Sequence, residues 1–436
     1  MAERIGSPSF STEKQVQNHM IRIGIVGCGR ILAAHLRGYR LLQEAGERGF
    51  AITALCARDP HDAEGYIRRG HGPAQRTPCS NIAGDPLSIG NEYLSDFQET
   101  TDVEVFTDYR KMIAQGKIDA VMDLTSHGMH HLVAEESFRH RKHLLSQKPL
   151  AATVKLARQM CEQADKARVA FGTFECFRFL PATRALHWLY QSGRGGKLQM
   201  VLIGYIGAWW APNLIVANTP WRHRKLEGGG ITIDFGVHFF DQLRLVAGRP
   251  KTFTGHVEII EPLRVERNES GKIVKQMECD SDDTCFATAT FENGTVCQLS
   301  ASWAGHIAPT IVGSGSVFYG TKSRVDGSVV FIEGEGSHQL VELFKREAPS
   351  TLVEQAFPKG IDDWFALGQR DWLEAIRHDR APESSGEEGL ADLAAAFAIL
   401  ESAHAGRQVS FDEVLSGKLR DFQKPIDDAL EAGKHS

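Results

Sequence analysis

Three groupings of residue types in this chain are suited to chemistry. Gly27-Cys28-Gly29 stands directly after the apolar run Ile21-Arg22-Ile23-Gly24-Ile25-Val26 and opens a helical stretch over 30–40. Glycine there lets the chain turn tightly and lets a phosphate approach the backbone, whose free amides and helix dipole favour negative charge. A dinucleotide diphosphate is the ligand such a turn suits, and an ordinary tight turn is the plain alternative. Asp234 and His238 lie four apart in a segment of helical periodicity, so they share a face. Ile231, Phe235, Phe239 and Leu243 mark the apolar stripe beside them. Gly228, Gly229 and Gly230 just before them let backbone pass close to a ligand. Lys148 ends a short apolar run, where open parallel sheets bind ligands.

Together these groups suit oxidation of an alcohol, in which a hydroxyl loses its proton while hydride leaves the same carbon. A histidine titrates near neutrality and can take that proton, with a neighbouring carboxylate to orient it. A lysine can hydrogen-bond the reacting oxygen and stabilise developing alkoxide charge. Taken singly, Asp and His at this spacing also suit a surface pair, and Lys148-Pro149 also suits a loop start.

The second strand-like run, Ala51-Ile52-Thr53-Ala54-Leu55-Cys56, is followed by Ala57-Arg58-Asp59. An acidic residue at that tip would hold both ribose hydroxyls of NAD. Ala57 followed by the Arg58 guanidinium suits the 2′-phosphate of NADP instead, so NADP is favoured. NAD stays open if Asp59 takes the hydroxyls. Leu32 replaces the small residue that usually closes the glycine fingerprint.

The elements that must position these residues follow from the pattern of runs. At 436 residues the chain exceeds one ordinary core. Short apolar runs at 21–26, 51–56, 118–124 and 143–145, separated by helical segments, predict a parallel α/β sheet over 21–150, after a polar tail at 1–20. A Gly/Pro/Ser/Asp-rich insertion at 69–103 interrupts it, read as a surface insertion with a lid or an oligomer contact as alternatives. Strands predicted at 198–204, 251–260, 284–291, 295–303 and 316–319, with an Asn293-Gly294 hairpin turn, place an open, mostly antiparallel sheet in an α+β domain over 151–436. Helices at 361–377 and 387–404 return to the body of the molecule, the second stopping at Gly406.

Composition narrows the class. Basic residues number 49 against 55 acidic, which gives no reason to expect a nucleic-acid or membrane-surface partner. Eight cysteines without a C-x-x-C pair suit a reducing compartment, and no apolar run is long enough to span a bilayer, so a cytoplasmic enzyme is expected. Eighteen histidines show no spacing that demands a metal, and none is expected.

In order along the chain, Gly27-Cys28-Gly29-Arg30-Ile31 with His35, Thr125-Ser126-His127-Gly128-Met129-His130, Gln147-Lys148-Pro149, Trp221-Arg222 with Gly228 to Gly230 and Asp234-Phe235-Gly236-Val237-His238, and finally Ser385-Gly386-Glu387-Glu388-Gly389 with Glu401-Ser402-Ala403 resemble the Gfo/Idh/MocA family of sugar and cyclitol oxidoreductases. Ser126 stands where the family has proline, and Gln147 where it has glutamate. The resemblance implies a Rossmann domain followed by an open-sheet α+β domain. It implies coenzyme contacts from Gly27, Gly29, Arg30, Ile31, Thr125, His130, Gln147 and Lys148, and a catalytic group of Lys148, Asp234 and His238. Arg58 joins the coenzyme set from its position, and Arg178, Trp221 and Arg222 from the stretches that border the cleft in the family, with a core-edge arginine as the alternative for Arg178. Trp209 and Trp210 border the expected pocket, with core or interface packing favoured for them. His223 and His306 read as structural.

The implied function is hydride transfer between a secondary hydroxyl of a sugar, glycoside or cyclitol and NADP or NAD. Within the family, a glycosidase acting by transient oxidation and elimination is the alternative. Outside it, the alternative is a non-catalytic nucleotide-binding regulator, which would need none of Lys148, Asp234 and His238. By family habit a homodimer or homotetramer is expected.

Overall fold

The computed structural model describes residues 20–80, 84–100, 102–206, 219–268, 270–306 and 314–433. Its first layer system is a six-stranded sheet of β1 (Ile21–Val26), β2 (Phe50–Cys56), β3 (Glu104–Phe106), β4 (Ala120–Asp123), β5 (His143–Gln147) and β6 (Phe171–Phe174), in the order β3-β2-β1-β4-β5-β6. All its pairings are parallel. Helices α1 (Ile31–Glu44), α2 (Pro60–Glu64), α3 (Tyr109–Gln115), α4 (His130–Arg139) and α5 (Val154–Ala167) connect these strands. Strand order reverses between β1 and β4, and the crevice at that point lies outside the strands' carboxyl ends. Strand β6 comes from the segment assigned above to the second domain, so the first sheet extends past residue 150.

The second sheet has nine strands: β7 (Leu198–Ile206), β8 (Pro250–Glu258), β11 (Thr284–Phe291), β12 (Val296–Ser302), β13 (Ser314–Gly320), β14 (Ser323–Asp326), β15 (Val329–Ile332), β16 (Gly336–Gln339) and β17 (Val409–Ser410). A separate hairpin is formed by β9 (Leu263–Arg267) and β10 (Ile273–Glu278). The nine-stranded sheet is mixed, because β7 and β12 pair in parallel while every other pairing is antiparallel. The Asn293-Gly294 turn joins β11 to β12, with Gly294 at φ +89°.

Helices α6 (Pro181–Gln191), α7 (Ile231–Ala247), α8 (Leu340–Glu347), α9 (Ser350–Ala356), α10 (Trp364–His378), α11 (Gly386–Ala405), α12 (Phe411–Leu415) and α13 (Lys424–Gly433) complete the chain. Helix α7 is not the one-stripe surface helix its periodicity suggested. Ile231, Ile233, Val237, Phe240 and Leu243 are all buried. Phe235 stacks on Tyr205 of β7 at 4.0 Å, and Gly236 meets Ala396 of α11. A helix wedged between a sheet and another helix is buried on most sides. Helix α11 is likewise buried on most sides, capped by Ser385 and ended by Gly406 at φ +62°.

Helix α10 returns to the first domain. Phe365, Ala366 and Trp372 share a core with Leu32, Tyr39 and Ile23. Gly38 is the point of closest approach, since a Cβ there would lie 2.4 Å from Gln369 Oε1. The missing small residue of the glycine fingerprint is absorbed here, with Leu32 fully buried in that core. The 69–103 insertion lies along α1, where Glu92 pairs with Arg40, Thr77 O accepts from Arg30 Nε at 2.8 Å and Leu94 is buried.

Candidate active site

Four residues stand at the carboxyl ends of neighbouring strands: Gly27 after β1, Thr125 beyond β4, Lys148 after β5 and Glu175 after β6. Gly27 sits at φ +100°, and a Cβ there would lie 2.6 Å from the Leu124 carbonyl oxygen, so only glycine fits. Gly29 is different. A Cβ on it would meet nothing within 4 Å among the described residues, so its lack of a side chain leaves a cradle open at the helix N-terminus. Helix α1 begins there with no side-chain cap and no acidic residue in its first turn. Uncapped amides, a cradle that a Cβ would fill and the absence of negative charge fit an anionic diphosphate.

In the same row, Lys148 Nζ donates to both the backbone oxygen and Oδ1 of Asp234, at 2.8 Å each. Asp234 Oδ2 accepts from Arg222 Nε at 3.0 Å. Burial works against the Asp234 charge, but Arg222 and Lys148 outweigh it and hold the carboxyl well below the usual carboxylate range. Asp234 is therefore a fixed anion that orients two cations.

His238 has another partner. Its Nδ1 lies 2.6 Å from Glu175 Oε1, and its ring stacks on Phe177 at 4.4 Å. Nε2 has no hydrogen-bond partner among the described residues, and the side chain is 13% exposed. Glu175 is buried, which opposes its charge, yet the His238 and Lys148 charges overcome this and lower its affinity for a proton. The expectation that Asp234 orients His238 is corrected here: one turn of α7 separates them, and the carboxylate facing the imidazole is Glu175. Sequence reading missed Glu175; its signal was an acidic residue at the end of the apolar run Phe171-Gly172-Thr173-Phe174.

Several other expected contact residues are engaged within the protein. Arg178 is 3% exposed; its Nε donates to Asp241, Nη1 to the Glu383 carbonyl and Nη2 to Glu388. Its side-chain donors are engaged in an ion network inside the protein, the core-edge placement that was the alternative for it. Gln147 also turns inward, its amide N–H on His35 Nε2 at 3.2 Å and its Oε1 accepting from Lys148 N. His130 is fully buried between the Pro149 and Thr125 carbonyls, so it shapes two loops from behind. Thr125 is held by Asp123 through its N–H and its hydroxyl.

Trp221 carries Arg222 over one side of its ring at 4.2 Å and meets His127 at 4.3 Å. Arg58 is exposed and has no hydrogen-bond partner among the described residues, whereas Asp59 is engaged by His61 as the cap of α2. Ile31 opens α1 and is half-buried. His223 is buried and His306 pairs with Glu261. Trp209 and Trp210 lie outside the described residues. Among the described residues no helix is long and apolar enough to cross a membrane.

Comparison with known proteins places this architecture in a family. Residues 21–174 match the pattern of the oxidoreductase family with an NAD-binding Rossmann fold, and residues 183–325 match the GFO/IDH/MocA C-terminal domain. The chain belongs to the Gfo/Idh/MocA family of oxidoreductases, and its first domain is an NAD(P)-binding Rossmann domain.

Among its relatives is 1,5-anhydro-D-fructose reductase of Ensifer adhaerens, 25% identical over 70% of this chain and 84% of that protein. Another is myo-inositol 2-dehydrogenase of Thermotoga maritima, 20% identical over 91% of this chain and all of that one. The WlbA dehydrogenase of Bordetella pertussis, solved with NADH and UDP-GlcNAcA, has the same fold with a TM-score of 0.66, at 21% identity over 90% of this chain and 98% of that one.

Proposed function

We propose that the chain is a dehydrogenase that oxidises a secondary hydroxyl of a sugar, glycoside or cyclitol, reversibly, with NADP preferred over NAD. The observation that carries this reading is the division of polar groups at the cleft. Among the described residues His238 Nε2 is free while Nδ1 is backed by Glu175, and Lys148 spends two of its three N–H donors on Asp234. One basic nitrogen and one cationic donor are thus left for a substrate hydroxyl. The relatives named for anhydrofructose and inositol support a polyol-type substrate.

The amides after Gly27 and Gly29, with Arg30 and Ile31, would hold the diphosphate, and the exposed Arg58 guanidinium would take the 2′-phosphate. The nicotinamide, when bound, accepts hydride. His238 Nε2 takes the hydroxyl proton, and the third Lys148 N–H donates to the same oxygen as negative charge builds there. Asp234 keeps that ammonium from rotating away.

The assembly proposed is a homodimer or homotetramer built on the open face of the large sheet. Val296, Met200, Tyr319, Arg324 and Phe331 are successive cross-strand partners on that face, and Met200, Val296 and Phe331 are exposed.

The deciding experiment incubates the protein with NADP⁺ or NAD⁺ and a panel of sugars, glycosides and cyclitols, following the absorbance of the reduced nicotinamide. Reduction with at least one polyol is expected, faster with NADP⁺. Absence of reduction together with absence of coenzyme binding by calorimetry would overturn the reading.

A further inference from the structure

Glu175 has two faces. Oε1 meets His238 Nδ1 at 2.6 Å and accepts from Phe177 N at 3.3 Å, whereas Oε2 is buried and has no hydrogen-bond partner among the described residues. Glu175 lines a small internal cavity, which leaves room for about one water molecule. Three other residues of its wall carry the same anomaly. Thr173 Oγ1, Trp372 Nε1 and Ser384 Oγ are buried and likewise unpartnered among the described residues.

Buried polar atoms are almost always satisfied, and a single internal site gathering four that are not is a place built for a water molecule. The remaining polar wall is Asp371, which is half-buried; its Oδ1 accepts from Arg380 Nη2 at 2.7 Å, and Arg380 is 43% exposed. Asp371 Oδ2 accepts from Glu383 N at 2.5 Å, so the cavity wall carries Glu175 and also Asp371, which is tied to the exposed Arg380.

We propose that this cavity is a buried water site, and that Glu175 and its water form a proton path from His238 to solvent at the Asp371 side. The inference rests on the dehydrogenase reading above. In that reaction the electron pair leaves the substrate carbon as hydride to the nicotinamide, and one proton must leave the closed cleft. The hydroxyl proton binds His238 Nε2 while the Nδ1 proton crosses to Glu175 Oε1. Rotation of the carboxyl group turns the protonated oxygen to the cavity side, and Glu175 returns to carboxylate by releasing that proton to the cavity water, which passes it outward. One proton enters and one leaves. The imidazole changes tautomer and is restored by exchange once product has gone. The hydroxyls of Thr173 and Ser384 hold the water, since each can both donate and accept.

The test has two arms on the full chain. A crystal structure at a resolution that shows ordered water should place a molecule within hydrogen-bonding distance of Glu175 Oε2 and of Thr173 or Ser384; a dry cavity overturns the proposal. In the kinetic arm, Glu175→Gln keeps shape and hydrogen bonding but carries no acid proton. Its kcat should fall about 100-fold with KM and coenzyme affinity nearly unchanged, and its solvent deuterium isotope effect should rise. Thr173→Val and Ser384→Ala should each slow turnover several-fold with the same isotope signature, and they decide the matter if the glutamine variant does not fold. Native kcat in Glu175→Gln, or slowed turnover without a changed isotope effect in all three, overturns the path. If the unaltered protein oxidises no polyol, the dehydrogenase reading and the path fall together, while the water site is judged by electron density alone.

Discussion

Glu175 and His238, 63 residues apart in the chain, meet at 2.6 Å, while Asp234 on the same helix as His238 faces Lys148 and Arg222. Two carboxylates in one cleft therefore hold two different groups. One keeps an ammonium in place and the other sets the tautomer of an imidazole. A proton acceptor and a cationic donor can then act side by side without pairing with each other.

That separation predicts distinct phenotypes. Lys148→Ala and His238→Ala should each abolish turnover, by at least about 100-fold, while coenzyme affinity measured by calorimetry stays near native. Near-native turnover in both would remove these residues from the chemistry.

The two glycines of the opening turn should behave differently. Gly27→Ala puts a Cβ 2.6 Å from a backbone oxygen at a φ of +100°, so it should destabilise the fold by roughly 1–3 kcal/mol. Gly29→Ala meets nothing within 4 Å among the described residues and should leave the thermal midpoint unchanged while weakening coenzyme binding at least about tenfold. Unfolding scans and titrations on both variants check this, and native coenzyme affinity in the Gly29→Ala variant would show that the cradle is not the phosphate site.

Coenzyme choice is assigned to an exposed guanidinium. Arg58→Ser should reduce the preference for NADP over NAD by about tenfold or more, through weaker NADP binding with little change for NAD. Dissociation constants for the two coenzymes, measured at one salt concentration, decide it; an unchanged ratio would assign the 2′-position to other groups.

Removing Arg178 should cost stability and not coenzyme affinity. Arg178→Leu leaves Asp241 buried opposite no guanidinium, so a loss of about 3–5 kcal/mol is expected. Denaturant unfolding measures it. A native midpoint with weakened coenzyme binding would instead return Arg178 to the cleft.

Acid sensitivity should start early. Burial pushes His35 down to about 3, does the same to His223 and lowers His127 and His143 below the ordinary imidazole value. The folded chain keeps these rings neutral while the unfolded chain protonates near pH 6.5. Their share of stability is thus complete above that pH and is lost as pH falls towards 3, at up to about 1.4 kcal/mol per unit for each ring. The urea midpoint should fall between pH 7.5 and 5, and less steeply in His35→Gln. A flat midpoint across that range would contradict it.

The opening glycine turn, the strand ending at Lys148 and the helix carrying Asp234 and His238 were legible in the sequence alone, because each depends on local periodicity and on backbone freedom at single positions. The Asn293-Gly294 turn was legible for the same reason. Strand β6 was not, since a four-residue apolar run has no period to distinguish it, and it was only by joining β5 that it carried Glu175 to the cleft. Helix α7 read as a one-sided helix because its sequence cannot show that α11 closes its other side.

Which carboxylate meets His238, and whether Arg178 points outward or into the core, were decided by tertiary structure. A helical repeat tells which side chains share a face, but the partner across that face comes from a distant segment whose position is set by sheet order and helix packing. Local pattern chose the chemical groups, and long-range packing decided which of them meet.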